Sequence, residues 1–307
     1  MSNQKLGLAF ESLAQKLGYK SEKLGNIDEQ RNQIRRLLDS YINNLLWKAK
    51  ELTPPINPEN IAPLVGVREI RKTLWHSDGS LIPRKDGFEI IINSQTKNVR
   101  QRSVCAHEIG HTFFYNWNDG TPTKIFYDIP YWEEEGMVYE IARKILIPTN
   151  LITKMVKSRH ITFQNLQEMA QTFGVSYEFI IRRLGDLDLL DSVILLIEII
   201  NESKTDYKYK VKIKNKPTWD KNKLIINGGK FIAKNDKLHD LLDTVSKQSN
   251  PEIIHKKMEL SNSSSDKFQI SIAKMGGTKP YIVVLISPEP KENKQLKLDD
   301  MALISSS

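Results

Sequence analysis

Within an apolar, helix-compatible run from Arg102 to Phe114 stand His107, Glu108 and His111, spaced as H-E-x-x-H. On a helix, positions i and i+4 lie about 40° apart, so both imidazoles point the same way with Glu108 beside them. Two neutral imidazole nitrogens at this spacing can take two corners of a tetrahedral Zn²⁺, and the adjacent carboxylate can take a proton from a water whose pKa the ion lowers to about 7. The competing reading is two ordinary helix histidines, yet a shuffled chain of this composition shows the pattern roughly once in a hundred. Val104, Cys105, Ile109 and Phe113 are placed to pack the back of the helix, and Gly110 leaves room for another backbone beside the histidines.

A mononuclear catalytic site needs a third protein ligand and an open fourth position. His160, His239 and His255 lack any supporting pattern, whereas Glu133, Glu134 and Glu135 open a helix-compatible stretch that runs to Ile147 and is stopped by Pro148. Read back from Pro148, Glu135, Val138, Ile141, Ala142, Ile145 and Leu146 recur at three- and four-residue steps, which puts Glu135 on the core-facing stripe. An unpaired carboxylate there would cost on the order of several kcal/mol, and a metal compensates it, which favours Glu135 over its two neighbours. Glu133 and Glu134 read as acids that complement the helix dipole. The metal ligands expected are therefore His107, His111 and Glu135, with Glu108 as general base.

The stretch from Cys105 to His111, followed by Glu135, Ala142 and Ile145-Leu146-Ile147-Pro148, resembles the ImmA/IrrE family of zinc metallopeptidases, whose second motif is roughly E-x-x-A-x-x-F-A-x-x-L-L-M-P. Val138 stands where that family usually has Ala, Ile141 where it has Phe and Ile147 where it has Met, all apolar for apolar. The segments Pro55 to Ala62 and Asp78 to Leu81 also look like family segments, so the resemblance spans approximately residues 50 to 190. It implies an α+β, zincin-like metallopeptidase domain, with a small sheet beside the H-E-x-x-H helix and Zn²⁺ as cofactor. It also implies a protein substrate: a helix-turn-helix transcriptional repressor, cut in a stress, mobile-element or defence response.

The 307 residues suffice for two or three domains, and 39% hydrophobic with 27% charged residues is ordinary for a globular chain. One cysteine excludes an internal disulfide framework, and neither a signal peptide nor an apolar run of transmembrane length is read, so a cytoplasmic location is expected. Cys105, two positions from His107, points off the ligand face and reads as a buried helix thiol. A formal charge of +8 permits an acidic partner such as DNA, although a modest lysine excess is more often a solvated surface.

The elements that position these residues can be read in chain order. Residues 1–52 form an N-terminal helical segment, with stripes Leu6, Phe10, Leu13, Leu17 and then Ile34, Leu37, Leu38, Tyr41, Ile42, Leu45, Leu46. Thr53-Pro54-Pro55 breaks it, and residues 53–150 make the peptidase core. Gly87 to Asn93 reads as a strand; either it or a neighbour lends an edge to an extended peptide, or it is internal with both edges paired. Residues 117–132 read as a loop between the two metal-bearing helices, and its Tyr127 and Tyr131 are given no role. Residues 151–189 outline helix, turn, helix, with Ser176 as N-cap, Phe179, Ile180, Arg183 and Leu184 packed inward, and Tyr177, Ile181 and Arg182 exposed. That exposed face is poor in base-reading side chains, so packing is its main expected job and DNA contact a secondary one.

Residues 190–290 are expected to form a C-terminal α+β domain that senses a ligand or holds a partner, and 291–307 a flexible tail. Its strands are expected at Val193 to Ile200, Tyr207 to Lys214, Lys223 to Asn227, Phe268 to Ala273 and Tyr281 to Ile286, with a helix from Leu238 to Val245 and a loop at Ser261 to Asp266. The alternating lysines of residues 208–214 read first as edge protection and second as a grip for nucleic acid or an acidic peptide. The reading that results is a zinc endopeptidase of narrow specificity. The alternative is a DNA-associated or antitoxin-like binding protein whose zinc site is structural or vestigial.

Overall fold

The structure is a computed structural model that describes residues 6–19, 26–117, 120–156, 161–187, 192–201, 207–214, 231–232, 237–247, 253–259, 267–275 and 281–288. It divides into two units, the first drawn from residues 1–157 and 164–189, the second from 158–163 and 190–307. None of the described helices is long and apolar enough to cross a membrane.

The first unit is mixed α+β and opens with helices α1 (Leu8–Lys16) and α2 (Ile27–Lys48). Asn26 caps α2 by accepting the Glu29 N–H at 2.9 Å, and Ile34, Leu38, Ile42, Leu45 and Leu46 bury one face at helical spacing. Leu37 and Tyr41 lie at the edge of that stripe and remain partly in solvent. The inward face of α1 is Ala9, Ser12, Leu13 and Ala14, so of the anticipated stripe only Leu13 is fully covered. Gly7 stands at the N-cap of α1 and has no side chain to offer; the carboxylate of Glu133, far along the chain, accepts the Ala9 N–H at 3.3 Å instead. Glu133→Ala is therefore expected to cost about 1 kcal/mol, the usual value of a lost cap. Urea unfolding would show the change, and an unshifted midpoint would exclude a capping role for Glu133.

A three-stranded sheet follows, with β1 (Val67–Thr73), β2 (Gly79–Arg84) and β3 (Gly87–Asn93) in the order β1-β3-β2. The central strand is β3, parallel to β1 and antiparallel to β2. Its run Phe88, Ile90, Ile91, Ile92 is buried on both faces, which is why it carries so little alternation. Of the two expectations for this segment the internal strand is the observed one, and the edge nearest the H-E-x-x-H helix belongs to β2. The one carboxylate in β3, Glu89, is compensated from both sides by Arg84 and Arg71, each at 2.6 Å.

Helix α3 (Asn98–His111) comes next. A short hairpin of β4 (Tyr115–Asn116) and β5 (Thr123–Lys124) then occupies part of the span expected to be loop, and α4 (Tyr131–Leu146) and α5 (Thr149–Met155) follow. The anticipated helix pair is α6 (Phe163–Phe173) and α7 (Tyr177–Asp186), with Ser176 accepting the Phe179 N–H at 3.3 Å. Its outer face needs correction: Ile181 is fully buried, and Arg182 is drawn along the helix to Glu178 at 3.1 Å. Arg183 is fully buried, as its place on the inward stripe requires. It donates to the Ile147 carbonyl at 3.0 Å and to Thr149 Oγ1 at 2.6 Å, so a guanidinium closes the C-terminal end of α4.

In the second unit, β6 (Val193–Asn201), β7 (Tyr207–Lys214), β8 (Ile254–Glu259), β9 (Lys267–Met275) and β10 (Tyr281–Pro288) form an antiparallel sheet in the order β7-β6-β10-β9-β8. Helix α8 (Lys237–Ser246) contributes Leu238, Leu241, Leu242 and Val245 to one buried cluster with the sheet residues Leu195, Val211, Ile270 and Val284. Tyr209, Val211 and Ile213 of β7 point inward, and β7 lies at one end of the described strands, its outer side carrying a bridge from Lys210 to Phe231. Strand β8 is absent from the sequence-based expectation, because His255-Lys256-Lys257 interrupts any apolar alternation. The expected strand at 223–227, the loop at 261–266 and the tail at 291–307 lie outside the described residues.

Candidate metal centre

Helix α3 carries His107 and His111 on one face, with ring centroids 5.0 Å apart and planes at 84°. What brings α4 against this face is Gly110. A Cβ there would lie 3.0 Å from both the Cγ1 and the carbonyl oxygen of Val138 and would push the two backbones apart by a few tenths of an ångström, so the glycine favours their close approach. Three residues before Val138, and so on the same side of α4, Glu135 reaches the histidines. Its Oε2 is 3.4 Å from His107 Nε2 and its Oε1 is 3.3 Å from His111 Nε2.

A tetrahedral ion with bonds of about 2.0–2.1 Å has ligand-to-ligand edges of ~3.3 Å, so the donor set has the right size for a metal. Among the described residues, His107, His111 and Glu135 form the group whose ligand atoms all lie within 4.8 Å of one another. The chemistry of the set agrees with its size: two imidazoles with an anionic carboxylate suit a borderline divalent cation. The other histidines weighed from the sequence stand elsewhere. His160 lies outside the described residues, while His239 and His255 belong to the second unit, His239 beside Tyr209 and His255 bonded to Ser271.

Glu108 is 6% exposed, held between α3 and β2. Gly79 makes this possible, because a Cβ there would collide with Val104 Cγ1 and crowd Glu108 Oε1 at 3.2 Å. Burial pushes the Glu108 carboxyl up to about 7, against the opposing pull of His111 and of the Leu81 backbone. Burial and the charge of His111 hold His107 down at about 4. Burial also acts to lower His111, but hydrogen bonds to Glu134 and Glu135 outweigh it and lift His111 to about 9. The carboxylates thus draw positive charge to the point between the imidazoles.

Sequence reasoning missed three side chains here. Glu134, expected merely to complement the helix dipole, is 6% exposed; its Oε1 is 3.1 Å from His111 Nδ1 and its Oε2 accepts from Lys124 Nζ at 2.8 Å. Lys124 itself arrives from β5. Tyr139, one turn beyond Glu135, lays its ring 4.4 Å from that of His107; the four-residue step from Glu135 was the available signal. Tyr131 lines the cavity over the site, which measures about 610 Å³ and is walled also by Asp78, Leu81, Arg100, Tyr115 and Tyr139. Tyr127 is 76% exposed and lies off that wall.

Cys105 points away from the ligands and is buried, and burial above all drives its thiol up to about 12. Only on the order of one molecule in 10⁴ would be thiolate at pH 8. The native protein is expected to give less than about 1% reaction with a thiol reagent in minutes and one full equivalent after denaturation. Rapid native labelling would mean that the back of α3 is open.

An α+β domain with an H-E-x-x-H helix, a small flanking sheet and a carboxylate from a second helix is a metallopeptidase-type domain of the zincin-like class. Residues 65–185 match the sequence profile of the IrrE N-terminal-like domain of a peptidase family, so the chain carries a domain of the ImmA/IrrE family. None of the curated proteins matches the chain. A solved structure described as a Mycobacterium tuberculosis transcriptional regulator is similar with a TM-score of 0.50 at 11% identity, covering 93% of this chain and 82% of that one, a likeness of fold alone.

Proposed function

We propose that the chain is a zinc-dependent endopeptidase of narrow specificity, with His107, His111 and Glu135 as ligands and Glu108 as general base, acting on a helix-turn-helix transcriptional repressor or a similar regulatory protein. The observation that carries this reading is the meeting of two Nε2 atoms with the Glu135 carboxylate at 3.3 and 3.4 Å, beside a buried Glu108 and beneath an open cavity. When bound, zinc supplies a Lewis acid that polarises a scissile carbonyl and acidifies water. Glu108 takes the proton of the attacking water at a carboxylate oxygen and returns it to the leaving amide nitrogen. Its burial among Val104, Leu81 and the imidazoles keeps its basicity near the working pH.

Strand β2 is paired on one side only among the described strands, and Gly79, Ser80 and Leu81 line the cavity. An extended substrate strand adding to this edge would place a backbone carbonyl over the histidines. The binding-protein alternative gains little from α7, where Ile181 and Arg183 are buried and Arg182 is paired within the helix. The cytoplasm is the proposed compartment, and the second unit is proposed to sense a ligand or hold a partner. The deciding experiment compares the proteomes of cells carrying wild-type and Glu108→Gln protein. One regulatory protein truncated only with the wild type is expected; identical proteomes under inducing conditions, with unchanged physiological output, would favour the binding protein.

A further inference from the structure

Three consecutive carboxylates near the start of α4 leave the helix about 100° apart and meet three different partners. Glu133 caps α1, Glu135 faces both Nε2 atoms, and Glu134 takes the far side of His111. Glu134 is nearly inaccessible, so its charge needs compensation, and Lys124 Nζ provides it at 2.8 Å. The position of Lys124 is set by the hairpin: Tyr115 pairs with Lys124 across β4 and β5, and Tyr115 follows α3 after a single 3₁₀ turn, Thr112–Phe114. The chain that carries His111 therefore also fixes the lysine that holds the carboxylate behind it. Lys124 lies 5.9 Å from the centroid of the Tyr115 ring as well, which limits its freedom further.

A neutral imidazole carries one N–H, and the partner of one nitrogen decides which nitrogen keeps the lone pair. In the neutral form that a metal requires, an Nδ1–H donated to Glu134 would leave the lone pair of His111 on Nε2, the atom that faces Glu135. His107 has no such anchor: its Nδ1 is buried without a hydrogen-bond partner among the described residues, and its ring is held by Tyr139. Selection of the tautomer thus falls on one of the two histidines. From this asymmetry the geometry points to Glu134, clamped by Lys124, as a positioning residue that fixes the tautomer and orientation of His111 for the metal. The inference rests on the metal-site reading above and assigns Glu134 no contact with substrate.

The test is zinc affinity, measured on the full-length chain by competition with a chelator of known strength, with circular dichroism as a check on folding. Glu134→Ala is expected to bind zinc about 10–100-fold more weakly, the usual effect of losing such a partner. Glu134→Gln, whose amide oxygen still accepts from Nδ1–H, is expected to recover most of that loss. Wild-type affinity in Glu134→Ala, or equal losses in the Ala and Gln variants, would overturn the assignment. A second readout does not depend on any variant folding. In the long-range ¹H–¹⁵N spectrum of histidine-labelled, zinc-loaded wild type, His111 is expected to be protonated at Nδ1, and the opposite tautomer overturns the proposal. Glu135→Ala separates the two levels: if it leaves zinc binding unchanged the metal site itself is wrong, whereas unchanged binding in Glu134→Ala alone removes only the positioning role.

Discussion

Glu108→Gln is expected to lower the rate of substrate cleavage by about 10²–10⁴-fold or more while leaving bound zinc at one per chain. The amide nearly matches the carboxylate in shape but cannot accept the proton of the attacking water. Folding should survive the change, because Glu108 is 6% exposed and its carboxyl is already pushed up to about 7 by burial, so a neutral group suits the position. Metal content by mass spectrometry and cleavage followed on a gel are the two measurements. Cleavage at an undiminished rate with zinc in place would show that the proton goes to another group. Loss of zinc along with activity would show that Glu108 holds the site together and would leave its role as base without support.

Glu135→Ala is expected to weaken zinc binding by a few hundred-fold or more. As one of three proposed protein ligands, Glu135 would carry roughly a third of a binding free energy on the order of 10 kcal/mol, and ~3.3 kcal/mol corresponds to that factor. The carboxylate lies 3.4 Å from His107 and 3.3 Å from His111, and Glu135 is only partly buried, so its removal opens no cavity in the core. Chelator competition measures the effect directly. The loss should exceed that of Glu134→Ala, since a ligand outweighs the residue that orients one. Equal losses would mean that Glu134 and Glu135 share the metal or have exchanged roles.

Much of this site is legible in the chain because its main residues sit on two helices, where spacing alone sets direction. The i, i+4 step places both imidazoles on one face of α3, and counting back from Pro148 separates Glu135 from its two acidic neighbours. The near-continuous apolar run of β3 likewise announces a strand, and its burial on both faces leaves open only which neighbour holds the edge. The roles of Glu133 and Glu134 are not legible. In the chain both look like acids at a helix start. Their partners, the Ala9 N–H and the His111–Lys124 pair, come from segments brought near only by folding.

The outer face of α7 misleads for a related reason. Helical period puts Arg183 inward and Ile181 outward, yet both are buried, because α7 is covered on more than one side. Period also says nothing of the acceptors that Arg183 finds at the end of α4. Strand β8 escapes a sequence reading because an edge strand can be stabilised by its neighbour's backbone without an apolar pattern of its own. By itself, then, the sequence determined which residue types could bind a metal and move a proton, and on which face of each helix they lie, since helical geometry is local. Tertiary structure alone decided which carboxylate serves which partner, through the close crossing that Gly110 permits and the hairpin that delivers Lys124, because those contacts join residues whose separation along the chain leaves no periodic trace.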